Sequence, residues 1–109
     1  MVEYKPSLLD RTFTALSHEV RRAMLVQLRK QELRVSELAA PYDISLNMAS
    51  KHIRLLEEAR LVKRRVEGRE HWISADPQTL NEALSWIETQ AAFWSPRLAA
   101  LAKIVEKKK

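Results

Sequence analysis

The sequence predicts a mainly α-helical domain carrying one β-hairpin, and three observations predict it. Apolar residues recur at helical spacing in separate stretches, each opened by a capping residue. Residues 62–67 switch to the alternation of a strand, and Gly68, the single glycine in the chain, follows at once. From Leu80 to Val105 an apolar seam repeats in steps of four and three. The predicted order is four helices, a hairpin, and a long last helix. With the third and fourth helices joined by a short turn, this is the layout of a winged helix-turn-helix, α1-α2-α3-α4-β-hairpin-α5.

Composition sets the frame. The chain has 109 residues, of which 46% are apolar, so one core is affordable and residues 1–109 are read as a single domain. No apolar run approaches the roughly 20 residues that a bilayer span requires. The N-terminus has neither the apolar segment nor the small-residue cleavage site of a secretory signal, so the expected compartment is the cytoplasm, with no membrane partner. The absence of cysteine removes disulfides, thiolate metal sites and cysteine redox sensing together. The net charge is +5, which suggests a polyanionic partner. Residues 51–71 hold seven bases (Lys51, Arg54, Arg60, Lys63, Arg64, Arg65, Arg69) against four acids, and so supply +3 of that charge.

Taken in order, Ser7 caps a first helix, with Asp10 three residues on as in a capping box, and Leu9, Phe13 and Leu16 share one face. Ser17 or His18 opens a second helix. Its apolar stripe is Val20, Met24, Leu25 and Leu28, and Arg21, Arg22, Arg29 and Lys30 are read as its solvated side. Arg34-Val35 is read as an extended link. Ser36 then caps a brief helix over residues 37–40, which Pro41 stops. Pro41-Tyr42-Asp43-Ile44 makes the turn, and Ser45 caps the next helix.

That fourth helix is two-faced. Ala49, Ile53 and Leu56 fall at i, i+4 and i+7 and point inward. Asn47, Lys51 and Arg54 follow the same spacing on another face, beside Leu46 and Ser50. Asparagine pairs with adenine, arginine or lysine with guanine, and an aliphatic side chain meets a thymine methyl. Serines 45 and 50 are candidate phosphate donors. In the hairpin, Val62, Arg64 and Val66 alternate with Lys63, Arg65 and Glu67 around a tip at Glu67-Gly68-Arg69, and residues 70–74 return. Lys63, Arg64, Arg65, Arg69 and His71 form a basic ribbon suited to phosphates or a minor groove, with Arg65 and Arg69 the chief candidates. The plain alternative for both surfaces is a solvated, charged exterior.

Asp76-Pro77 opens the last helix with a cap and a proline at its first position. Its seam is Leu80, Leu84, Ile87, Ala91, Trp94, Leu98, Leu101 and Val105. Ser95-Pro96 interrupts it, so a kink or a restart capped by Ser95 is expected, the unbroken seam favouring a kink. The seam either folds back on its own domain or meets its twin across a two-fold axis. Three tryptophans exceed what a small monomer core readily absorbs, which favours a dimer with Trp94 near its centre. Trp86 and Phe93 lie off the seam and are read as core packing before pocket lining. Lys107-Lys108-Lys109 reads as a frayed basic end.

Ser50-Lys51-His52-Ile53-Arg54-Leu55-Leu56-Glu57-Glu58-Ala59-Arg60-Leu61-Val62 resembles the Ser-Lys-His-Leu-x-x-Leu-Glu-Glu-Ala-Gly-Leu-Val of ArsR-type winged-helix repressors. Phe13-Thr14-Ala15-Leu16-Ser17-His18-Glu19-Val20-Arg21-Arg22 and Arg34-Val35-Ser36-Glu37-Leu38-Ala39 resemble the same family's opening and pre-turn segments. The resemblance covers residues 13 to 75, and the tail is similar to a metal-free branch. It implies a homodimer joined through the first and last helices, hence Leu9, Phe13 and Leu16 beside the seam from Leu80 to Leu101, with residues 77–106 as the dimerisation helix. A symmetric dimer in turn predicts a palindromic operator on double-stranded DNA, and release by a signal, or inducer, that no residue identifies.

Two positions depart from the family pattern, Asp43 and Arg60 standing where it has glycine. If Arg60 keeps the left-handed conformation, the strain is about 1 kcal/mol. The metal sensors of the family carry cysteines before the turn or His and Asp pairs in the last helix, and neither is present. His52 is therefore read as a packed histidine with one hydrogen bond, and no metal or cofactor is expected. No glycine-rich phosphate loop, cysteine nucleophile or Ser-His-acid set supports an enzyme. The rival reading is a winged-helix protein-interaction module that does not touch nucleic acid.

Overall fold

The computed structural model describes residues 7–107. Five helices and three strands follow one another: α1 (Leu8–Leu16), α2 (Glu19–Gln27), β1 (Leu33–Arg34), α3 (Val35–Ala39), α4 (Leu46–Glu58), β2 (Val62–Glu67), β3 (Glu70–Ala75) and α5 (Pro77–Lys107). The mainly helical winged architecture is the one expected from the sequence. The terminal lysines 108 and 109 lie outside the described residues.

The caps form as the sequence dictates. Ser7 Oγ accepts from the Asp10 amide at 3.1 Å while the Asp10 carboxylate accepts from the Ser7 amide at 3.2 Å. This closes the capping box on α1. His18 caps α2, its Nδ1 accepting from the Val20 amide at 3.1 Å. Ser45 Oγ accepts from the Met48 amide at 3.1 Å and starts α4.

Three local readings are corrected. Of the expected extended link Arg34-Val35, Arg34 ends a strand, β1, which pairs antiparallel with β3 through Leu33↔Ile73 and Arg34↔Trp72, and Val35 already opens α3. The hairpin is therefore part of a three-stranded sheet of order β1-β3-β2. The third helix starts at Val35 with Arg34, not Ser36, at its N-cap, because the Glu37 carboxylate reaches back to the Arg34 amide at 3.0 Å. The hairpin tip is the two-residue turn Gly68-Arg69, since Glu67 and Glu70 are paired in the ladder. Gly68 has φ of 63°, which a side chain would resist.

The core lies between the first four helices and the sheet. Ala15, Met24, Leu38, Ala49, Ile53, Leu56 and Ile73 are fully buried there, the large apolar side chains each contributing about 1.5–3 kcal/mol. A further correction concerns Arg21, expected on the solvated side of α2 but buried. Its Nε donates to the Ala15 carbonyl at 2.8 Å and its Nη2 to the Thr14 carbonyl at 3.2 Å. Both carbonyls belong to the last turn of α1, where a helix leaves acceptors without partners.

The last helix runs unbroken from Pro77 to Lys107 with Pro96 inside it. Ser95 caps no restart. Proline removes one backbone donor from the ladder. Beside that gap the Arg97 Nη1 donates to the Phe93 carbonyl at 2.6 Å, and its guanidinium lies 3.7 Å from the Phe93 ring centre. Phe93 is thus stacked under a cation and half-exposed, not packed in the core. Trp86 meets Phe13 edge-on at 5.8 Å and fastens α5 to α1. Neither ring lines either of two clefts, of about 730 and 380 Å³.

Candidate nucleic-acid interface

The fourth helix carries the surface of interest. Ala49, Ile53 and Leu56 are 0% exposed, while Leu46, Asn47, Ser50, Lys51 and Arg54 on the other side are all exposed. Among the described residues, the Asn47, Ser50 and Lys51 side chains make no hydrogen bond or ion pair. Arg54 has only a 4.0 Å approach to Glu58, both groups exposed, an i,i+4 pair of small worth. Ser45 spends its hydroxyl on the cap but keeps it at the exposed N-terminal end of the helix.

A buried hydrogen bond and a ring contact beside it fix the orientation of that helix. Arg21 Nη1 lies 2.9 Å from His52 Nδ1. Arginine only donates, so His52 Nδ1 is the acceptor and its proton sits on Nε2. The His18 ring lies 4.5 Å from the His52 ring, centre to centre. Burial, and after it the neighbouring His18, Arg21 and Lys51 charges, push His52 below its ordinary titration range. The histidine thus acts as a neutral peg between α2 and α4. At the far end, Ala59, Arg60 and Leu61 close the helix. The Arg60 amide bonds to the Glu57 carbonyl and the Leu61 amide to the Leu56 carbonyl, the paired bonds of a Schellman motif. That motif needs a left-handed residue, and Arg60 supplies it at φ of 57°.

The wing is tied to the helix by Arg64. Its guanidinium grips the Glu57 carboxylate with bonds of 2.6 and 3.2 Å and donates to His71 Nδ1 at 2.9 Å. The carboxylate holds the guanidinium above its usual range. Arg65, on the other face of the strand, reaches Glu32 and Glu67 at 2.6 Å each and lies 5.5 Å from the Trp72 ring. Arg34 approaches the same ring at 5.6 Å and bonds to Glu37 and Glu70. Lys63 is 3.7 Å from Asp76. Arg69, in the two-residue tip, is exposed and has no partner among the described residues.

A cleft of about 380 Å³ opens between α3, the start of α4 and the wing. Leu46, Ser50 and Arg69 line it, together with Ser36, Arg64 and His71. The structure therefore brings Leu46, Ser50 and Arg69 to one cleft, with Asn47, Lys51 and Arg54 exposed along the same helix, whereas Arg65 lies on the other face of its strand, held by two carboxylates. Sequence reasoning missed the Arg21–His52 peg, the Arg64–Glu57 clamp and the acids around Arg65. The signal available for the clamp was that Glu57 lies four residues after Ile53, which sets it on the inward side of α4. No group of three or more metal-ligating side chains occurs among the described residues. No helix among them is long and apolar enough to cross a membrane.

Comparison with known proteins agrees with this geometry. A helix-turn-helix domain family model matches residues 16–65. The chain is 31% identical over 97 residues to the HTH-type transcriptional regulator Rv2034 of Mycobacterium tuberculosis, covering 89% of this chain and 88% of that protein. It is 39% identical over 70 residues to the transcriptional repressor SmtB homolog of a Synechocystis strain, covering 63% of this chain and 53% of that one. The crystal structure of an ArsR family transcriptional regulator, RHA00566, superposes with a TM-score of 0.77 at 30% identity, covering 82% of this chain and 98% of that one. With the exposed polar face of α4, its turn and its wing, these likenesses establish that the chain belongs to the ArsR family of winged helix-turn-helix, DNA-binding transcriptional regulators.

Proposed function

We propose that the protein is a cytoplasmic homodimeric repressor, without catalytic activity, that reads a palindromic operator through α4. The carrying observation is the division of α4, whose apolar side is wholly buried and whose polar side is uncovered. Leu46, Asn47, Ser50, Lys51 and Arg54 meet base edges and adjacent phosphates in the major groove, with Ser45 at the phosphate end. Arg69 follows the backbone from the wing tip. Arg65 joins it where phosphates displace Glu32 and Glu67. The Arg64 clamp holds wing and helix in one rigid reading head.

The dimer is joined through α1 and α5. Its support is the uncovered apolar seam: Leu80, Leu84, Ile87, Trp94, Leu98 and Leu101 are each 43–60% exposed. Ala91 lies exposed between them. Phe13 is exposed, and Leu9 and Leu16 are half-buried, on the adjoining face of α1. A contiguous apolar strip of this length on a small protein marks an interface. Two-fold symmetry sets the two α4 helices one turn of duplex apart, about 34 Å. Occupancy of a promoter then blocks transcription by occlusion.

Selection of bound sequences from random duplex DNA, at a stated salt concentration, tests this reading. An inverted repeat with half-sites one helical turn apart is the expected result, and recovery of no enriched sequence contradicts it. In the same assay Arg54→Ala relaxes preference at one base pair per half-site and costs about 1–3 kcal/mol. An unchanged preference removes Arg54 from direct readout.

A further inference from the structure

A second concavity shares no residue with the polar face of α4. It lies between the second half of α2, the end of β3 and the first turn of α5, and measures about 730 Å³. That is within the range of small-molecule sites, about 300–1,000 Å³. Its floor is aliphatic, made by Leu25, Leu28, Leu61 and Leu80, with Leu16 at its edge; Leu80 is also the first residue of the α5 seam, so the groove borders the proposed dimer face. Its rim is charged, and the charges are unequal. Arg29 and Lys30, at the end of α2, are exposed and have no acidic partner among the described residues. The acid that lines the groove, Asp76, is engaged by Lys63 at 3.7 Å and by the Gln78 amide at 3.4 Å. An apolar trough with two unpaired cations at one end complements a ligand with an apolar body and an anionic head.

The groove sits at the joint between the recognition helix and the long helix. The Asp76 amide donates to the Leu61 carbonyl at 2.8 Å, and Thr79 Oγ donates to the Arg60 carbonyl at 3.1 Å. Leu61 is both a floor residue and the residue that closes α4. A body wedged against Leu61 and Leu80 therefore presses on the contacts that set the angle of α5. We propose that this groove is a regulatory site for a small amphipathic carboxylate, whose tail lies on Leu25, Leu28, Leu61 and Leu80 and whose head faces Arg29 and Lys30. Its effect on DNA rests on the dimer reading above: tilting α5 changes the distance between the two α4 helices, so a ligand that prefers one tilt shifts operator affinity.

Octanoate is the probe, with 1-octanol as the uncharged control, at constant ionic strength. Amide chemical shifts of the full chain report binding, and fluorescence anisotropy on the selected operator reports the effect on DNA. The expected result is saturable shifts confined to the groove, with octanol and the Arg29→Gln/Lys30→Gln double variant each about tenfold weaker. Operator affinity then changes as octanoate saturates the parent protein and not the variant. Both substituted residues are exposed, so the variant retains the fold. Equal binding of octanol and octanoate, or shifts along the α5 seam beyond Leu80 instead of the groove, overturns the proposal. So does loss of the shifts when the protein is concentrated into its dimer, which assigns the groove to the second copy. Octanoate binding without any change in operator affinity overturns the regulatory role. Failure of the ligand-free protein to bind DNA contradicts the functional reading instead, and the amide shifts still decide the groove.

Discussion

Arg60 holds a backbone conformation that glycine adopts freely, with φ of 57° at the end of α4. The Schellman bonds and the Thr79 contact to its carbonyl hold it there. Arg60→Gly relieves the left-handed strain and raises stability by about 1 kcal/mol, read from the denaturant midpoint at an unchanged slope. A lower midpoint shows that the arginine side chain is worth more than the strain. The strain was legible in the sequence, because the family pattern has glycine there. Arg21 was not legible. A helical wheel assigns arginine to solvent, and only the proximity of two α1 carbonyls and His52 makes burial tolerable.

His52 gives this scale its pH dependence. Its folded-state titration lies below about 6.5, chiefly from burial. The unfolded chain therefore takes up the proton first. Stability is intact above pH 6.5 and falls as the pH drops below it. His52→Gln keeps an acceptor for Arg21 and carries no titrating proton, so its denaturation midpoint changes less between pH 7.5 and 5.5 than the parent's. An identical pH response in parent and variant refutes the peg. Glu37, held low chiefly by the Arg34 amide, contributes in a separate window. Its stability is present above pH 4.5 and is lost as the pH falls further.

Among the elements, α4 was the most legible. Its cap, its buried stripe and its polar stripe follow from a single helical period, and all three lie where that period puts them. The strand β1 was hidden because two residues carry no alternation. Its pairing with β3 then moved the start of α3, since Arg34 serves both as strand end and as helix cap. The wing's residue types were readable, but its electrostatics were not. Glu32 reaches Arg65 across 33 positions of sequence, and Glu57 reaches Arg64 from another element. Five bases on a ribbon are therefore not five available cations. Arg69, in the tip, has no acidic partner among the described residues. Arg69→Ala weakens binding to all duplex sequences alike and reduces the slope of log K against log salt by about one unit per subunit. An unchanged slope takes the wing tip off the phosphates.

At the scale of the whole molecule the long helix dominates. The radius of gyration is 18.8 Å, and the longest extent is 66 Å. A compact chain of this length has a radius near 13 Å. The excess is α5, whose second half carries Leu98, Leu101 and Val105 exposed. The heptad-like seam was legible in the sequence and lies uncovered in the single chain; at Pro96, where a kink or a restart was expected, the helix runs on without a restart. Trp94, 53% exposed in the single chain, lies mid-seam. Trp94→Ala weakens the dimer by about 3–5 kcal/mol, and sedimentation shows the shift toward monomer. An unaltered profile excludes Trp94 from the interface. The central claim, that the uncovered side of α4 receives a duplex, is tested most directly by the salt dependence of binding to the selected operator. Between about 50 and 200 mM salt the account predicts a straight decline of log K with log salt, with a slope on the order of −4 or steeper. A flat line contradicts it and identifies a protein-interaction module instead.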